Sequence, residues 1–86
     1  MTLEYDLQVR ALYIRLSDGK AARTVCLSDN TAVDLDADGN VLGIEVVAID
    51  YPWAVADVLA MEGLSAERRA ELSDWLASAV AHPSLA

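Results

Sequence analysis

The chain has 86 residues, 55% of them hydrophobic and 23% charged, with a formal net charge of −8 at pH 7. This length suits one domain with a limited core. The negative charge argues against direct binding to nucleic acid or to an anionic membrane surface, because both depend on Lys and Arg, and it favours a basic protein as a partner.

Short segments in which apolar and polar residues alternate fill the first half of the chain and predict about five strands. These strands are residues 2–6, 11–16, 22–28, 31–36 and 41–48. The connections between them are short and rich in Gly, Asp, Asn and Ser, which is typical of turns. Successive strands are therefore expected to pair antiparallel in chain order, as a β-meander with one apolar face.

Two helices are predicted in the second half. Asp50 can cap a first helix over residues 52–61, with Pro52 in its first turn, where the missing N–H needs no partner. Ser65 can cap a second helix, which Pro83 would end. One face of this second helix carries an apolar stripe. The stripe consists of Leu72, Trp75, Leu76, Ala79 and Val80.

Together these elements predict one α+β domain over residues 1–86. Residues 1–49 would form the antiparallel sheet, and residues 50–82 would form a two-helix layer that covers one face of it. A chain this small buries little apolar area, so self-association is a natural way to bury more. We expect a homodimer, and Trp53 and Trp75 are the interface candidates because tryptophan is enriched at interfaces.

Residues 34–45 match the EF-hand calcium loop letter for letter. Gly39 stands where that loop needs a sharp turn. The four carboxylate ligands would be Asp34, Asp36, Asp38 and Glu45. Calcium binding by this segment is thus one hypothesis for the function.

A β-hairpin explains the same residues differently. The flanks alternate with period two and lack the helical pattern of an EF-hand. With a loop at residues 37–40, Val33 would oppose Ile44 and Leu35 would oppose Leu42, and all four side chains would point inward on one apolar face. The acidic side chains would then lie outward, where Arg15 and Arg23 could offset their repulsion if they share that face. The hairpin is the favoured interpretation, with no metal and no cofactor.

No catalytic constellation is evident, so the chain is not expected to be an enzyme. His82, the one histidine, is predicted to be solvated in a C-terminal tail. Cys26, the one cysteine, has no predicted histidine partner to activate it. A small enzyme with a carboxylate-lined site stays as a further alternative, because Asp and Glu are abundant.

A cytoplasmic location is expected. One cysteine excludes an internal disulfide and fits a reducing compartment. The first residues show no basic and apolar leader pattern, and no apolar run approaches the roughly 18 residues of a membrane span.

The first half of the chain resembles the YuzE-like family of small bacterial proteins of unassigned function. The segments that carry the resemblance are residues 11–16 (Ala-Leu-Tyr-Ile-Arg-Leu), 23–25 (Arg-Thr-Val), 27–29 (Leu-Ser-Asp), 33–36 (Val-Asp-Leu-Asp) and 39–45 (Gly-Asn-Val-Leu-Gly-Ile-Glu). The resemblance implies an α+β fold with an antiparallel sheet and a hairpin at residues 34–45, but no active site. It also implies an antitoxin-like or regulatory role beside another protein. Cys26 departs from the family pattern, which usually has an acidic residue there.

Overall fold

The computed structural model of the chain describes residues 1–49 and 51–81, with side chains to Ser78 in the last helix. Within these residues, five strands are followed by two helices, which confirms the α+β class. The strands are β1 (Thr2–Asp6), β2 (Ala11–Arg15), β3 (Arg23–Ser28), β4 (Thr31–Leu35) and β5 (Val41–Val46). The helices are α1 (Val55–Leu59) and α2 (Ala66–Ala81).

The strands form one antiparallel sheet in the order β1-β2-β5-β4-β3. The predicted meander is therefore wrong at one connection, since β2 pairs with β5 and not with β3. β5 is buried at every residue except Glu45, so it needs a neighbour on each side. The connection over residues 16–22 spans three inter-strand spacings, about 14 Å, which seven extended residues reach easily.

The segment over residues 34–45 is a β-hairpin between β4 and β5, as predicted. Val33 opposes Ile44, but Leu35 opposes Val41 and not Leu42, because the register shifts beside Leu35. Leu42 is the additional residue of a β-bulge, which reverses the direction of the side chains that precede it.

Because of this bulge, Val41 belongs to the buried cluster, whereas Leu42 is buried outside it, against the turn at Gly19. The prediction that Leu42 points inward with Ile44 is corrected accordingly. The carbonyl of Leu42 accepts hydrogen bonds from the backbone N–H groups of Leu16 (2.8 Å) and Ser17 (3.1 Å), which ties the bulge to the end of β2.

One buried apolar cluster joins strand residues to residues from the second half of the chain. Its members are Ile14, Leu16, Val33, Leu35, Val41, Ile44, Val46, Val58, Leu64 and Leu72. Val58 lies in α1, Leu72 lies in α2, and Leu64 lies between the two helices. Residues from both helices therefore pack into the same core as the sheet.

The first helix is shorter than predicted and begins at Val55, after Pro52. No side chain caps it, but the N–H of Ala54 donates a hydrogen bond to Oγ1 of the buried Thr31 on β4 (3.1 Å). This bond links the start of α1 to the sheet. The proposed cap, Asp50, lies outside the described residues.

The second helix begins after Ser65, whose Oγ accepts a hydrogen bond from the N–H of Arg68 (3.2 Å), so the predicted cap is confirmed. Leu72 of the predicted stripe is fully buried, and Trp75 and Leu76 pack against the cluster. The remaining predictions for this region lie outside the side chains or residues that the structure describes. These concern Ala79, Val80, His82 and Pro83.

Candidate functional site

The carboxylates of the possible calcium loop have separate roles in the hairpin. Asp36 closes the hairpin loop, because its carboxylate accepts hydrogen bonds from the N–H of Asp38 (2.9 Å), the N–H of Asn40 (2.9 Å) and Nδ2 of Asn40 (3.2 Å). Hydrogen bonds from Asn40 are the main reason that the pKa of Asp36 lies below its usual range. Asp38 and Glu45 are exposed. Among the described residues, no group of three or more His, Cys, Asp and Glu could hold a metal ion.

Asp34 lies on the sheet face opposite the buried cluster, which we name the outer face. Its carboxylate accepts hydrogen bonds from the hydroxyl of Tyr13 on β2 (2.8 Å) and from Oγ1 of Thr24 on β3 (2.6 Å). Of the two arginines considered from the sequence, Arg15 shares this face but pairs with Glu4 at 3.5 Å, and Arg23 opposes the core residue Leu35. Two hydroxyl donors therefore stabilise this carboxylate.

Gly43 makes the bond between Tyr13 and Asp34 possible. β5 lies between the strands that carry these two residues, and Gly43 is paired with Asp34. A Cβ atom at position 43 would overlap the hydroxyl and ring of Tyr13. The ring can therefore lie across β5 only because residue 43 has no side chain.

The pKa of Tyr13 is raised from 10.0 to about 12. Burial of the phenol is the largest cause, followed by its hydrogen bond and charge interaction with Asp34. The guanidinium of Arg15 lies 5.2 Å from the centre of the Tyr13 ring and acts in the opposite direction. At neutral pH, Tyr13 is thus a hydrogen-bond donor that supports Asp34.

The stabilising effect of Tyr13 is expected to disappear in strong alkali. Its pKa is higher in the folded chain than its usual 10.0, so the contribution is complete below about pH 10 and lost as the pH rises to about 12. The Tyr13→Phe variant lacks both the ionisation and the hydrogen bond. We expect wild type to be about 1 kcal/mol more stable near pH 8, with the difference shrinking towards pH 12.

Urea unfolding of both proteins across this pH range measures the difference directly. The comparison of wild type with Tyr13→Phe cancels the ionisation of the other tyrosines, since both proteins retain them. A difference that stays constant up to pH 12 would contradict the role assigned to the Tyr13 hydroxyl.

Acidic residues predominate among the strand residues of the outer face. Glu4 and Glu45 flank Tyr13 on the adjacent strands, and Arg15 follows Tyr13 on the same face. The acidic members of this face are Glu4, Asp6, Asp34 and Glu45. Arg15 is the one cation that the strand register places among them, so the described part of this face has an excess of negative charge.

The edge strand β1 and the turn that follows it carry four exposed apolar residues, which we name the β1 stripe. Leu3 and Tyr5 lie in β1, and Leu7 and Val9 lie in the turn over residues 7–10; their exposed fractions are 42%, 50%, 77% and 63%. Leu3 opposes Ile14 and Tyr5 opposes Leu12, so these two residues extend the core side of the sheet. The apolar residues at alternate positions of β1 were a usable signal in the sequence that the interface prediction missed.

The predicted interface residues occupy other places. Trp53 and Trp75 are half-buried and pack against the buried cluster. Cys26 is exposed on β3, beside a register shift at that edge of the sheet. None of the helices in the described residues is long and apolar enough to span a membrane.

Comparison with known proteins identifies a family. Residues 2–49, which contain all five strands, match the family model described as "Protein of unknown function (DUF2283)". No curated protein and no solved structure matches the chain.

Proposed function

The chain belongs to the DUF2283 family of proteins of unknown function, and from that premise we propose that it is a non-enzymatic protein-interaction module. In this proposal the outer face binds a basic protein, as a regulatory or antitoxin-like partner would. The single observation that carries the proposal is the excess of acidic residues on the outer face.

The arrangement of the sheet supports this choice of surface. The buried cluster lies on the opposite face and contains Val58 and Leu72 from the helices. We propose that the two helices cover that face, which leaves the outer face free.

The charges favour a cationic partner. Glu4 and Glu45 lie on either side of Tyr13 and are exposed, so both can reach a bound molecule. The hydroxyl groups of Tyr13 and Thr24 donate hydrogen bonds to a third carboxylate on this face, that of Asp34, and fix its position. Complementary charge would raise the association rate and select against acidic partners. Membership of the YuzE-like branch and the antitoxin-like role are parts of the same proposal.

The binding test uses a synthetic Lys- and Arg-rich amphipathic peptide as the probe. Nuclear magnetic resonance titration of the isotope-labelled chain should shift outer-face amide signals, such as those of Glu45 and Ala32, more than those of α2. The double variant Glu4→Gln/Glu45→Gln is expected to weaken binding about fivefold, because two charge contacts are lost. Rising salt should weaken binding by wild type.

A matched control separates a specific face from the net charge of the whole chain. Asp57→Asn/Asp74→Asn changes the charge by the same amount at exposed helix positions. It is expected to change the affinity less than twofold. Equal weakening by both double variants, or no binding of the peptide at low salt, would overturn the proposal.

A further inference from the structure

We propose that two copies of this chain associate by antiparallel pairing of their β1 strands, which joins their sheets and buries the β1 stripe of each copy. Self-association was expected from the small size of the core. The proposal places its interface at β1 and not at Trp53 and Trp75. It concerns a different surface from the outer face, so each proposal can fail alone.

The backbone of β1 is available for pairing. β1 is the terminal strand of the sheet, and β2 is its one neighbour. The pairing with β2 runs in continuous register through all five residues of β1, and every one of them is exposed. An exposed, regular edge strand is a ready template for another strand.

The opposite edge is protected by features that β1 does not share. β3 has a register shift between Cys26 and Ser28, and its first residue is the exposed Arg23. Bulges and basic side chains are the usual means of preventing edge pairing. Within Thr2–Asp6 the charged residues are both acidic and both lie on the outer face, so the core side of β1 stays apolar.

The area of the β1 stripe fits a second copy. Its four residues expose about 400 Å² in all, which is the size of the largest apolar patch on a typical monomer, and such patches are often functional. Two copies, with the strand backbones included, approach the roughly 1,000 Å² that a specific interface needs. Because Leu3 and Tyr5 continue the core side of the sheet, pairing would extend both small cores across the junction.

A two-fold axis beside Tyr5 places Tyr5 of one copy opposite Tyr5 of the other, on the core side of the joined sheet. The same register brings Leu3 towards Leu7, which is the first residue of the turn after β1 in the other copy. On the outer face the same register sets Glu4 near Asp6 of the other copy, which is a repulsive pair. Salt screens such repulsion. Self-association should therefore strengthen with salt, whereas binding of a basic probe to the outer face should weaken.

The first test measures mass in solution by analytical ultracentrifugation. Wild type is expected at twice the monomer mass, more completely at high salt, and Leu3→Lys/Tyr5→Lys is expected to be monomeric. Cys26→Lys, which adds a cation to the other edge strand, should remain dimeric. A monomeric wild type at all salt concentrations, or a dimer that persists in Leu3→Lys/Tyr5→Lys, would overturn the inference.

The second test does not depend on a disruptive variant. In a Cys26→Ser background, Tyr5→Cys should form an intermolecular disulfide on mild oxidation, and Asp57→Cys should not. Failure of Tyr5→Cys to cross-link above the Asp57→Cys level would contradict the proposed axis. If wild type is monomeric but binds the basic peptide, the interface is rejected and the proposed function is retained. If wild type is dimeric but does not bind the peptide, the proposed function is rejected and the interface is retained.

Discussion

Replacing Leu72 with alanine is expected to lower the free energy of unfolding by about 3 kcal/mol, because the change leaves a cavity in a core that cannot fully collapse. Leu72 is completely buried and belongs to the cluster that contains Ile14 and Ile44 of the sheet. Urea unfolding followed by tryptophan fluorescence and by circular dichroism would measure the loss.

The control for this variant is Ser73→Ala, at the adjacent exposed position of α2. It is expected to change the stability by less than about 0.5 kcal/mol. The comparison also tests the prediction of one domain over residues 1–86, since Leu72 lies beyond the residues that match the family model. If Leu72→Ala were as mild as Ser73→Ala, α2 would not be part of the folding unit.

Replacing Gly43 with alanine is expected to destabilise the protein by about 3 kcal/mol. A Cβ atom would overlap the ring of Tyr13, which would have to leave its position and release Asp34. Overpacking of this kind usually costs about 1–3 kcal/mol, and the lost hydrogen bond adds about 1 kcal/mol. The same urea experiment measures the effect.

The effect of Gly43→Ala on stability is expected to depend on the residue at position 13. In Tyr13→Ala, the overlapping ring is absent, so Gly43→Ala should be neutral or slightly stabilising, as alanine restricts the unfolded chain more than glycine does. Tyr13→Phe retains the ring and should retain most of the penalty. A Gly43→Ala variant as stable as wild type, or an equal penalty in all three backgrounds, would contradict the steric explanation.

Local alternation was enough to predict the strands, but not their order. Each strand of the prediction overlaps an observed strand, because period-two patterning is a local property of a half-buried sheet. The position of β5 between β2 and β4 depends on contacts between distant segments, such as Ile14 with Ile44, which no local pattern encodes. The bulge at Leu42 escaped prediction because Val41 and Leu42 are both apolar, so either could have pointed inward.

The candidate site was only partly predictable for the same reason. Asp34 was singled out, the hairpin that carries it was correct, and the predicted pairing of β3 with β4 already brings Thr24 near it. The bond to Tyr13 depends on the observed strand order, which places Gly43 of β5 between the two strands. In a meander, Gly43 would have had no evident role. The predicted start of α1 at Pro52 was wrong because Pro52 precedes the helix. The start is stabilised by a hydrogen bond that the N–H of Ala54 donates to Thr31, which lies on the distant strand β4.

The position of β5 also bears on how the chain comes together during synthesis. Among the described residues, β5 is the last strand to be made, yet it occupies the middle of the sheet. Until residue 46 has left the ribosome, β2 and β4 each have one side without a neighbour, and the two parts of the sheet have nothing to join them. The nascent chain therefore has two hairpins, β1–β2 and β3–β4, each with one unpaired edge, until β5 is made. β5 then pairs with both edges.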